Sequence, residues 1–180
     1  TPYGVFGLMA NIVGKYGMGV MLPYMKTIAA CYITCALFTV FVQGGLMAGL
    51  YGGISPVRFF SVMKEAMLFV FATCSSVATI PLNLKCTKEL GVSDKIADFV
   101  IPFGAVMNMN GTAIYEAVAV IFASQVFGIQ LTLTQQIMVM VTAVLASVGT
   151  AGIPGSGLVM LTIVLNAVHL PLETIGLLAG

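Results

Sequence analysis

Asn108, Thr112, Tyr115 and Glu116 stand in an apolar stretch at positions i, i+4, i+7 and i+8. On a helix this spacing places them on one face. Glu116 is the only carboxylate of the chain within a long apolar run. Ionisable groups in such runs cost roughly 2.5–3.5 kcal/mol for Asp at a helix centre and usually serve function, proton relays included. The bland alternative is a neutral glutamic acid that only ties helices together. Asn108 and Asn110 flank Gly111, in a stretch poorly suited to regular helix. Amide and carbonyl oxygens suit hard monovalent cations, and an unwound helix exposes such carbonyls. Asparagine also glues membrane helices by hydrogen bonding, so the residue type alone leaves both readings open.

Two interruptions must position these groups. Five glycine or proline positions fall within the nine residues from Gly149 to Gly157, inside an apolar run from Ile137 to Val168. Cys74 to Pro81 interrupts the earlier apolar run from Ala66 to Leu84. Lipid cannot satisfy the backbone groups that such breaks free, so they must be buried in protein or face water. Ser75 and Ser76 offer hydroxyls and N–H groups, whereas Ala151 to Gly155 offers bare backbone. Half-helix N-termini at such breaks favour an anionic group, for instance a carboxylate. Close helix packing explains one pair of glycines, but not five glycine or proline positions so close together.

Composition sets the solvent. Hydrophobic residues make up 59% of the chain and charged residues 7%, with mean hydropathy +1.08. Soluble domains carry about 25% charged residues, so the chain reads as an integral membrane protein. It would lie in a bacterial inner membrane or a eukaryotic plasma membrane. A net charge of +1 without a basic cluster excludes nucleic acid as a partner. Cys31, Cys35, Cys74 and Cys86 form no C-x-x-C pair and read as structural thiols. His169, beside Pro171, reads as an interfacial residue. No nucleophile–base pair or metal-ligand spacing supports an enzyme, and no organic cofactor is implied.

The expected fold is all-α: transmembrane helices plus two oppositely oriented re-entrant helical hairpins, with one helix broken at Asn108–Thr112. Residues 1–26 form the end of a transmembrane helix and a connector, and 27–53 a complete span. Ser55 and Pro56 suit an N-cap and first helical position. Residues 55–98 form the first hairpin, 99–128 a partly unwound span, 135–172 the second hairpin, and 173–180 the start of a truncated final helix. Arg58 and Lys64 precede the first break while Lys85, Lys88 and Lys95 follow it, so both its flanks belong in the cytoplasm. Gly128 to Gln136 carries no basic residue and fits the opposite face. Both termini suggest an internal piece of a longer chain.

Cys74–Pro81, Asn108–Thr112 and Ala146–Gly155 together resemble the signatures of the dicarboxylate/amino acid:cation symporter family, the glutamate transporter homologues. They correspond to its first hairpin tip, its N-M-D-G-T motif in the seventh span, and its second hairpin tip. The resemblance covers nearly the whole chain, from the later fifth span to the start of the eighth. It implies most of a mobile transport domain working by an elevator motion. Substrate contacts would come from Ser75, Ser76, Thr112, Ala151, Ile153 and Gly155. Sodium contacts would come from Gly104, Asn108, Asn110, Ser147, Val148 and Thr150.

Asn110 stands where the family has an aspartate that helps hold one sodium ion, which predicts altered cation coupling. Cys74 and Val77 replace serines usual in the first tip. Tyr115–Glu116 is similar to the animal glutamate carriers, where the glutamate is associated with proton coupling. The family's eighth span, with the aspartate and arginine that read the solute, and its trimer-forming scaffold would lie outside this sequence. The expectation is a secondary active symporter for an amino acid or dicarboxylate, coupled to sodium and/or protons. Its partners would be a small anionic or zwitterionic solute, the lipid bilayer and, in the full-length protein, two further copies in a homotrimer. An ion channel or passive pore built on re-entrant loops is the alternative.

Overall fold

A computed structural model describes residues 17–172, with Gly7, Ala10, Val13, Gly14, Ile175 and Leu178. Most of the expected helix end and connector before Gly17, and of the final helix at 173–180, lies outside the described residues. Among the described residues every regular element is helical. Following a short 3₁₀ turn at Met18–Val20, helix α1 (Met21–Leu37) continues as a π-wound segment, Phe38–Tyr51. Then come α2 (Pro56–Thr73), α3 (Ile80–Glu89), α4 (Asp94–Met107), α5 (Asn110–Val126), α6 (Leu133–Val148) and α7 (Ser156–Ala167). Among the described residues two stretches are long and apolar enough to cross a membrane: Met21–Tyr51, of 31 residues, and Asp94–Val126, of 33.

The chain divides into two compact units. One comprises the described residues of Thr1–Ile33, Asn110–Ser147 and Gly157–Gly180. Its core joins Ala119, Val120 and Ala123 of α5 to Val139 and Ala143 of α6 and Leu161 and Leu165 of α7. These residues recur three or four positions apart, so each helix offers one continuous stripe. Lipid is as apolar as leucine, so the small alanines matter by letting helices approach closely for van der Waals contact.

The other unit comprises Thr34–Met109 and Val148–Ser156. Helix α2 starts as the sequence requires: the Arg58 N–H donates to the Ser55 hydroxyl at 3.3 Å, and Pro56 is the first helical residue. It packs on the π-wound segment, where Gly44 leaves room for the Phe60 ring. Helix α3 packs on both α2 and α4. Lys85 of α3 meets Glu65 of α2 at 3.3 Å. Twenty residues of unbroken helix would put these groups about 30 Å apart, so the chain doubles back at the first break. Lys88, in the last turn of α3, closes the connection to α4 by pairing with Asp94 at 3.0 Å and Asp98 at 2.9 Å.

The interruption before α5 is narrower than the expected Asn108–Thr112. Only Asn108 and Met109 leave the helix, and Asn110, Gly111 and Thr112 are helical. Asparagine disrupts a helix interior but is well tolerated at an end, and Asn110 begins α5. Pro102 and Gly104 loosen the last turns of α4, and Asn108 departs with φ −105° and ψ 72°. The shared helical face therefore holds for Thr112, Tyr115 and Glu116 but does not carry across the break to Asn108.

Candidate functional site: two chain breaks and a polar cavity

The first break runs from Cys74 to Thr79. Cys74 caps α2 in the left-handed region, with φ 50° and ψ 31°. Ser75 then knots the turn: its hydroxyl accepts the Ala78 N–H at 3.2 Å, while its carbonyl accepts the Thr79 hydroxyl at 2.8 Å. The second break runs from Gly149 to Gly155. Gly155 has φ +82°, a conformation that suits glycine. The Ser156 hydroxyl contacts the carbonyls of Ala151 at 2.6 Å and Ile153 at 2.9 Å. Serine at the start of α7 thus fixes the loop ahead of it.

These two breaks meet. The Ser75 hydroxyl donates to the Gly152 carbonyl at 2.9 Å, and the Val77 N–H donates to the same oxygen at 3.3 Å. Gly152 is buried, and a Cβ there would stand 2.9 Å from Val77 Cγ2 and 3.1 Å from the Ala105 carbonyl oxygen. The approach therefore depends on glycine. Beside it lies a cavity of about 330 Å³ whose polar lining comes from Ser76, Thr79, Asn83, Gly104 and Asn108. Met63, Val70 and Ile101 are among its apolar walls. Among the described residues no charged side chain lines it. Neutral oxygens can hold a monovalent cation or water, and backbone N–H groups at the breaks can hold an anion.

Of the expected solute contacts, Ser75 and Ser76 are half-buried, whereas Ala151, Ile153 and Gly155 are exposed on the second break. Thr112 belongs to the other unit, half-buried on α5, where its methyl group lies 3.5 Å from a Cβ built on Gly157. Of the expected cation contacts, Gly104 and Asn108 line the cavity together. The Gly104 carbonyl accepts the Asn108 N–H at 2.9 Å. Val148 is exposed and Thr150 buried, both in the unit that holds the cavity. Asn110 and Ser147 belong to the other unit; Ser147 is buried, and its hydroxyl donates to the Val144 carbonyl at 2.8 Å. Glu116, also there, is 0% exposed, and neither carboxyl oxygen has a hydrogen-bond partner among the described residues.

Asn83 escaped the sequence reading. Its Oδ1 is buried and has no hydrogen-bond partner among the described residues. The signal was present: Asn83 is a lone amide between Leu82 and Leu84, four residues after Thr79, in an otherwise apolar segment.

A sequence model of the sodium:dicarboxylate symporter family matches residues 1–180. The chain belongs to that family. This sodium:dicarboxylate symporter family chain is an integral membrane protein, and its family is one of transporters rather than enzymes. It is similar to the C4-dicarboxylate transport protein of Cupriavidus pinatubonensis, 40% identical over 93% of this chain and 38% of that relative. Another C4-dicarboxylate transport protein, from Aeromonas salmonicida, is 39% identical over 100% of this chain and 42% of the relative. C4-dicarboxylate transport protein 1 of Ralstonia nicotianae is 40% identical over 93% and 39%. The chain thus spans about two fifths of the length of these relatives.

Proposed function

We propose that this chain forms the solute- and ion-handling part of a secondary active symporter. Its solute is a C4-dicarboxylate, moved with sodium, protons or both by an elevator-type alternating-access mechanism. The contact between Ser75 and Gly152 carries this reading. Two non-helical breaks, remote in sequence, close on each other beside a cavity lined by neutral oxygens. Irregular backbone at membrane depth is tolerable where it lines such a site. In this reading the breaks are tips of hairpins that enter from opposite faces, the first from the cytoplasm.

Within that arrangement, Ser75, Ser76 and the backbone of Ala151 to Gly155 hold the solute carboxylates, with Thr112 contributing from α5. Oxygens of Gly104, Asn108, Asn110, Ser147, Val148 and Thr150 hold sodium. Glu116 carries the exchangeable proton. The full-length protein works as a homotrimer. The names of the relatives favour a dicarboxylate over an amino acid.

Uptake into liposomes by the full-length protein tests this, with imposed sodium and proton gradients and a panel of dicarboxylic and amino acids. Gradient-driven accumulation of a C4-dicarboxylate above its external concentration is expected. Flux that only runs downhill, indifferent to both gradients, would indicate a pore and overturn the proposal.

A further inference from the structure

Within the unit built around α5, a groove of about 420 Å³ lies between α1 and α5, lined in part by Lys26, Thr27, Val118, Ile121, Phe122 and Gln125. One wall is firm: Phe122 is buried and packs edge-on to Tyr24, with ring centroids 6.2 Å apart. Ile121 is 41% exposed, so the apolar face remains open.

Two uncommitted donors share this groove. Lys26 makes no ion pair, and the Gln125 side chain makes no hydrogen bond, among the described residues. The Thr27 hydroxyl is already used, donating to the Pro23 carbonyl at 2.9 Å. Glu116, the carboxylate of α5, is buried and does not line the groove. An ammonium without a counter-ion repels cations. A small dicarboxylate would leave the apolar walls unfilled, whereas an anionic head on an acyl chain satisfies both parts. A lysine near a membrane surface attracts anionic headgroups by about 1 kcal/mol.

We propose that this groove is a binding site for an anionic phospholipid. The headgroup phosphate meets Lys26 and Gln125, and an acyl chain lies along Val118 and Ile121. The proposal rests on membrane location and not on the transport reading.

Native mass spectrometry of the full-length protein in mild detergent tests it, with added phosphatidylglycerol or phosphatidylcholine. Phosphatidylglycerol adducts should persist and phosphatidylcholine adducts should not. Lys26→Gln should weaken phosphatidylglycerol binding about five-fold, the worth of one basic residue near an anionic headgroup, while Lys26→Arg retains it. Ile121→Trp, which fills the apolar part and leaves the charge in place, should also reduce binding. Equal retention of the two lipids overturns the proposal. So does undiminished phosphatidylglycerol binding in Lys26→Gln or Ile121→Trp, which would leave Lys26 as a side chain that only reaches toward the membrane surface. Displacement of the lipid by inorganic phosphate alone would make this a free-anion site and equally overturn it.

Discussion

The Ser75 hydroxyl and the Gly152 carbonyl oxygen lie 2.9 Å apart although 77 residues separate them in the chain. This bond joins two segments that have each left the helix, and the Val77 N–H reinforces it at the same oxygen. Gly152 has no room for a side chain, so the joint is steric as well as polar.

Ser75→Ala deletes the donor. A net hydrogen bond is worth about 1 kcal/mol, so apparent solute affinity should fall about five-fold. Gly152→Ala should cost more, because its Cβ meets Val77 and the Ala105 carbonyl. Gly157→Ala is the control: a Cβ there stands 3.5 Å from Thr112 Cγ2, an ordinary contact. Concentration dependence of uptake reads all three, and native affinity in Gly152→Ala would rule the joint out of solute binding.

Glu116 is enclosed, with both oxygens lacking partners among the described residues. The amide of Glu116→Gln preserves shape but cannot exchange a proton. Uptake that varies with pH in the native protein should become pH-independent in the variant. If the variant's pH profile matches the native one, proton coupling through this residue is wrong.

Asn110 is exposed at the first position of α5. Asn110→Asp would supply a carboxylate, and charge-assisted contacts are roughly twice as strong as neutral ones. The sodium concentration for half-maximal uptake should drop about ten-fold, since hydrogen bonds to charged groups contribute about 1.5–3 kcal/mol. An unchanged sodium dependence would exclude Asn110 from cation handling.

Lys88 closes the turn between α3 and α4. Its hydrogen bond to Asp98, and then that to Asp94, hold its pKa above the ordinary lysine value. A cation whose folded value is raised stabilises fully below its unfolded value, about 10.4 for lysine, and loses that contribution as pH climbs through the folded one. On the alkaline side the clamp should thus persist at neutral pH and be lost only as pH climbs through the raised lysine value. Lys88→Met should speed amide exchange across Leu90 to Ser93 several-fold at neutral pH. High salt should narrow the difference, because the pairs are solvent-exposed; equal exchange in native and variant protein would remove the clamp.

Local chemistry was legible without coordinates. Hydrophobic runs gave the helices, because only an intrahelical ladder satisfies a lone segment's backbone in lipid. Ser55 and Pro56 marked the start of α2, since capping depends on residues within one turn. Glycine and proline at Gly149–Gly157, and the serines after Cys74, located both breaks. The extent of the third was misread, because Asn110–Gly111–Thr112 suits a helix start as well as an unwound turn. Tertiary structure decided the rest. That Ser75 should find Gly152, that Lys85 should reach back to Glu65, and that Asn83 should line a cavity with Asn108 follow from pairings across many residues. Such pairings depend on how helices stack. No local preference encodes that, because it is settled jointly by steric fit at the glycines and by where each freed polar group can find a partner.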